Sequence, residues 1–564
     1  MNQKEALQRR LDASLGKIPC DLVLTHAKCL NVFTGEWLAC DLGIYDGTIV
    51  AVDQGLKGKR EINAQGKWVV PGFLDAHVHI ESSLLTPRGF QSVTLPKGTT
   101  TAICDPHELA NVQGIRGIEY FLKAAEETHQ TLQIMLSSCV PATNMETNGG
   151  GGLSASQLLT LKNHPQALGL AEMMNVPGVL FKNNDVLDKI VAFEGKPLDG
   201  HCPLLRGREL SAYASVGISS CHESSELEEA KEKLSKGIVL WIREGSVAKD
   251  LTELIPLLNW NSSPFIGFCT DDRNPLDISK EGHIDYLIRT AIQQGIAPEI
   301  AYRSASWSVA NHYGLNKGPK RVGALAPGYA ADVVLLNDLR TCAIGQVIKS
   351  GCLVSELSFP SESERHVFGN SIKAKLPEHQ DLEGPIGPIH CIDIQAGKII
   401  TGRSVRSSED PTVAKLSVLE RYGKGSKPAN GYVSGFGENL RGAIASSVGH
   451  DSHNLCVVGK KTEDMRVALA ALIDCGGGFA VVQNQKVIAY LPLPFGGLMS
   501  LEDPNKVAKD LILLRQASQA IGCALPEPFL QLAFLCLPVI PQLKLTDKGL
   551  VDVEQFKIID VRAV

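Results

Sequence analysis

The stretch that most limits what this chain can become is residues 71–81, PGFLDAHVHIE, an apolar run that reads as a buried strand and ends in two histidines one residue apart. Residues i and i+2 of an extended backbone project from the same face, so His77 and His79 present two imidazole nitrogens together at a strand end. Histidine is the commonest metal ligand, although ordinary strand histidines also occur. The rest of the chain decides between these readings by supplying further ligands.

Between residues 69 and 320, strand-like runs alternate with stretches of helical periodicity, the pattern of parallel βα units. Eight runs stand out, at 68–77, 99–104, 132–138, 167–172, 198–201, 216–222, 238–242 and 265–270. They predict an α/β fold centred on a (β/α)8 barrel of the TIM type, whose chemistry sits at the carboxyl ends of the strands. Those ends carry His77 and His79; Asp105, His107 and Glu108; Glu172; His201; His222 and Glu223; Arg243 and Glu244; and Asp271 and Asp272. Any one of them is explained by the start of a solvated loop. Together, His77, His79, His201 and His222 with Glu172 and Asp271 can hold two divalent cations that share one carboxylate. Such a mixture suits manganese, iron or zinc. The residue types do not choose among these three. A two-metal centre ionises water near neutral pH and polarises the group under attack, so the chemistry implied is hydrolysis.

The flanks read differently. Residues 1–68 open with a short amphipathic helix and continue as β-branched strands, with Asp46-Gly47 marking a hairpin between 42–45 and 48–52. A matching fragment at 322–336 predicts a small β-sandwich domain assembled from 1–68 and 321–358, on both sides of the barrel at 69–320. Residues 359–388 are polar and rich in Pro, Ser, Glu and Lys, as a linker is. Residues 389–564 mix strands and helices and form a C-terminal α/β domain. Its Gly476-Gly477-Gly478 follows a helical run and precedes a strand, so it reads as a helix stop and not as a phosphate loop.

A chain of 564 residues needs two or three cores. A net charge of −6 leaves no footprint for nucleic acid, and no run of about eighteen apolar residues offers a membrane span. Fifteen cysteines without a Cys-x-x-Cys pair, and a first segment without the apolar core of a secretory signal, lead to an expected cytoplasmic location. A homo-oligomer, dimer or higher, is expected.

Several multi-residue motifs carry a closer likeness. His79-Ile80-Glu81-Ser82-Ser83, Cys104-Asp105-Pro106-His107-Glu108, Leu170-Ala171-Glu172-Met173-Met174, Asp199-Gly200-His201-Cys202-Pro203, Cys221-His222-Glu223-Ser224 and Cys269-Thr270-Asp271-Asp272-Arg273 resemble the bacterial adenine deaminase family of metal-dependent amidohydrolases. The resemblance implies hydrolysis of adenine to hypoxanthine and ammonia in purine salvage. It assigns metal ligation to His77, His79, Glu172, His201, His222 and Asp271. Asp105 and Glu172 are placed near the base, and Asp271 is the group that moves the proton of the attacking water. Many amidohydrolases bridge their metals with a lysine on strand four; residues 167–174 contain none, which leaves Glu172 as the bridge.

Some residues keep more than one reading. His107 and Glu108 either contact substrate or begin a helix capped by Asp105. Arg243 contacts substrate or pairs with Glu244. The segment His450-Asp451-Ser452-His453 is a further metal site, a cover over the barrel mouth, or a buried polar turn, and His283 reads as structural. The alternatives to adenine deamination are cleavage of a cyclic amide such as a hydantoin or dihydropyrimidine, and a scaffold without activity. The first is opposed by the missing strand-four lysine, the second by the complete ligand set. The zinc nucleobase deaminase pattern fails because no Pro-Cys-x-x-Cys follows His79-Ile80-Glu81.

Overall fold

The expected first strand, 68–77, is two strands in the computed structural model, which describes residues 2–359, 368–425 and 427–563. Trp68–Pro71 pairs antiparallel with Val333–Asp338, whereas Phe73–Val78 pairs in parallel with Thr99–Cys104. Gly72 makes the break. A Cβ there would lie 2.2 Å from Oγ1 of Thr100, so only glycine lets the two strands cross this closely. Gly72→Ala is expected to destabilise the fold by about 1–3 kcal/mol, the usual cost of overpacking; an unchanged thermal midpoint would show that the strand Thr99–Cys104 moves aside freely.

Phe73–Val78, Thr99–Cys104, Thr131–Leu136, Ala167–Met173, Leu198–Gly200, Ser220–Cys221, Val239–Arg243 and Ile266–Cys269, here strands one to eight, form an eight-stranded parallel sheet in chain order. Strand six is shorter than the expected 216–222, because Val216 ends the preceding helix and Gly217 turns the chain at φ 99°. The sheet closes where strand one meets the end of strand eight. Asp271 N–H donates to the His77 carbonyl at 3.0 Å, and His79 N–H donates to the Asp271 carbonyl at 3.3 Å. Beneath this joint, buried Asp75 accepts from the Thr270 amide at 3.1 Å, and His283 lies against Thr99 and Thr270. His283 is therefore part of the clamp below the mouth. Leu74, Ala76, Ile103, Met135, Ala171, Trp241 and Cys269 pack into one buried cluster, leaving the carboxyl ends of the strands for polar groups.

The small sheet also has eight strands. Cys20–Leu30, Trp37–Tyr45, Thr48–Asp53, Gly58–Asn63 and Trp68–Pro71 come before the barrel, and Val333–Asp338, Ala343–Lys349 and Cys352–Leu353 follow it. Asp46 at φ 49° and Gly47 at φ 66° make its tight hairpin.

A third eight-stranded sheet, within 388–492, has two buried faces. Ala443, Ala445, Val457 and Ala480 pack under the helix Thr462–Cys475. The alternating residues Ile444, Cys456, Val458 and Val481 join the core that holds Leu109, Ile118 and Phe121 of the barrel. Period-two alternation thus docks this sheet on the barrel with one face and buries a helix with the other. Of the expected linker, residues 360–367 lie outside the described residues, while Ile372 and Leu382 are buried in the helix cluster. Among the described residues no helix is long and apolar enough to cross a membrane.

Candidate metal centre

Five histidines surround one carboxylate at the barrel mouth. Glu172, at the end of strand four, has Oε1 within 3.8 Å of His77 Nε2, 3.3 Å of His79 Nε2 and 3.2 Å of His107 Nδ1. Its other oxygen, Oε2, lies 2.8 Å from His201 Nδ1 and 3.3 Å from His222 Nε2. Each oxygen therefore serves a different set of imidazoles, as a bridging carboxylate does. Asp271 adds Oδ1 at 3.5 Å from His77 Nε2 and 3.1 Å from His79 Nε2. All these side chains are buried.

The donor set fits cations. His79 Nδ1 lies 2.9 Å from the Asp105 carbonyl. A carbonyl only accepts, so Nδ1 is the donor and Nε2 is the ring nitrogen turned inward. That nitrogen is 3.1 Å from His77 Nε2, and His201 Nε2 is buried without a partner. Burial alone would raise the Glu172 carboxyl, but His222, His107 and His201 hold it well below the usual carboxylate range. Burial also opposes ionisation of Asp271, and His222, His77, His79 and Arg243 overcome it. His201 is pushed up to about 9, because Glu223 and Glu172 outweigh its burial. Converging nitrogens and anionic oxygens of this kind are what a divalent cation requires. His77, His222 and Asp271 form one group with ligand geometry, and Glu172, His201 and His222 form another.

The neighbouring polar residues have definite partners. Asp105 does not cap the helix His107–Gln113; its carboxylate accepts from Ser137 Oγ at 2.7 Å and faces His107 Nδ1 at 3.0 Å. Arg243 does not pair with Glu244. It is clamped by Glu223, by Asp250 at 2.8 Å and by Asp271 Oδ2 at 3.1 Å, while Glu244 accepts from the Leu251 amide. Glu108 faces His450 Nδ1 at 2.8 Å and His453 Nε2.

A narrow pocket lies over this floor, with Ile399, Phe534, Leu537 and Ile540 of the C-terminal domain among the residues that line it. Lys544, buried and pushed down to about 7 by that burial, donates to the carbonyls of Ile399 at 2.8 Å and Phe534 at 2.9 Å. These apolar residues are absent from the sequence-based site. In the sequence Phe534, Leu537 and Ile540 belong to an apolar run at 529–540 too short to span a membrane, with no signal that it covers a cavity, and Ile399 lies far from it.

Residues 68–354 match the model of the amidohydrolase family, and residues 395–557 match that of the adenine deaminase C-terminal domain. Over 566 residues the chain is 45% identical to adenine deaminase 1 of Agrobacterium fabrum, covering 98% of this chain and 97% of that protein. The chain belongs to the adenine deaminase family. It is also 46% identical over 568 residues to the adenine deaminase of Sinorhizobium fredii, with 98% of this chain and 100% of that protein covered. The adenine deaminase of Brucella suis matches at 46% identity over 566 residues, 98% of this chain and 96% of that protein. The amidohydrolase match takes in all eight barrel strands, and the C-terminal match takes in the residues that roof the cavity.

Proposed function

We propose that the chain hydrolyses adenine to hypoxanthine and ammonia, and that His77, His79, Glu172, His201, His222 and Asp271 hold two divalent cations, manganese or iron, with zinc as a substitute. The observation that carries the reaction is the near-full-length identity to adenine deaminases. The bridging placement of Glu172 supports the two-metal reading.

Bound cations supply a water ionised near neutral pH and polarise the carbon under attack. The chain's own residues handle the protons. Asp271, held anionic, takes the proton that the water loses on adding to C6 and returns it to the amino group, which leaves as ammonia. Addition at C6 moves an electron pair onto N1, which needs a proton there. His107 Nδ1 stands 3.0 Å from Asp105 and 3.2 Å from Glu172, so one proton is shared among the three groups beside the reacting carbon. The enzyme regains that proton when the hydroxyl on C6 becomes the carbonyl of hypoxanthine. Arg243 acts through Asp271 Oδ2, orienting the carboxylate.

The test is ammonia release from adenine and adenosine, with hydantoin ring opening measured alongside, using metal-loaded protein. Turnover of adenine is expected. Hydantoin cleavage with no adenine turnover would move the chain to the cyclic-amide branch.

A further inference from the structure

Residues 450–453 enter the site from the C-terminal domain and seize Glu108 from both sides. His453 Nδ1 accepts from the Gly449 amide at 3.3 Å, so its hydrogen sits on Nε2, which faces Glu108 Oε2. His450 Nδ1 lies 2.8 Å from Glu108 Oε1. Burial would raise Glu108, but His450, His453 and His107 hold it well below the usual range, so it faces both rings as an anion. The His450 ring is fixed by a second contact, stacking on Phe534 at 4.5 Å between centroids and 11° between planes.

His450 Nε2 is buried and has no hydrogen-bond partner, and the ring lines the cavity. Burial would lower the imidazole, but Glu108 and Asp451 hold it well above the usual histidine range, so Nε2 carries a hydrogen. A buried charged donor with nothing to donate to is costly, and a ligand acceptor removes that cost. A purine brings such acceptors in its ring nitrogens N3 and N7, neither of which takes part in the addition at C6.

We propose that His450 binds substrate, donating from Nε2 to N3 or N7 of the purine ring. This rests on adenine being the substrate and adds a binding residue that the C-terminal domain supplies. Glu108 and Phe534 are the positioning residues that hold the donor in place.

The experiment uses the metal-loaded full chain and three ligands: adenine, 3-deazaadenine and 7-deazaadenine. In the unaltered protein, one deaza compound should bind about 10- to 100-fold more weakly than adenine, the range for losing a charge-assisted hydrogen bond. His450→Phe, which preserves the stack on Phe534 but removes the donor, should raise KM for adenine by a similar factor. Its kcat should stay within about threefold, its bound metal should be unchanged, and the difference between adenine and that deaza compound should disappear. His450→Gln, with an amide donor, should recover part of the loss. Equal binding of all three ligands by the unaltered protein would overturn the proposal even if the variants failed to fold. So would a normal KM in His450→Phe, or a fall in its bound metal, which would make His450 a ligand. Failure of the unaltered protein on adenine would instead refute the reaction itself.

Discussion

Asp271→Asn is expected to lose at least about 10³-fold in kcat while the barrel stays folded, because the residue has separable jobs. Its backbone closes the barrel through the hydrogen bonds to His77 and His79, and asparagine keeps that backbone and tolerates the left-handed φ of 53° observed there. Its carboxylate faces His77, His79 and Arg243, and an amide in that place neither takes up the water's proton nor balances the charge of Arg243. The loss combines a general-base contribution, about 10²- to 10⁴-fold by itself, with a weakened metal site. Ammonia release, metal content and thermal unfolding measured together separate these effects. Activity within tenfold of the unaltered protein would remove Asp271 from proton transfer.

Stripping the metal is the second large effect. Chelation is expected to bring ammonia release from adenine below detection, and addition of manganese, iron or zinc should restore it at about two ions per chain. The same treatment should lower the thermal midpoint, since an ion that binds only the folded state stabilises it and its removal leaves imidazole lone pairs and two buried anions facing one another. Both changes should reverse together on adding metal. Undiminished turnover in metal-free protein would sink the metal reading, and recovery at one ion per chain would remove the bridge from Glu172.

Much of the scaffold was legible because its signals are local. The hairpin at Asp46-Gly47 follows from two residues that tolerate positive φ. The barrel strands follow from apolar runs, and the polar residues at their ends follow from the convergence of a parallel barrel on one mouth. Errors arose where a local pattern had two outcomes. Pro71-Gly72 lies inside one apolar run, yet the chain changes sheets there. Asp105 has the sequence look of a helix cap, but Ser137 and His107 occupy its oxygens. Arg243 and Glu244 are neighbours at a strand end, and side chains of adjacent strand residues point to opposite faces, so each found other partners.

The amino-acid sequence by itself determined which residue types stand at the strand ends, and hence the family and the class of chemistry, because strand periodicity and motif order are written in neighbouring residues. The tertiary structure alone decided which oxygen of Glu172 serves which histidine, what clamps Arg243, and that residues 450–453 and 529–540 roof the cavity. Those relations join segments far apart in the chain, and packing of whole elements selects among partners that the local sequence leaves equally available.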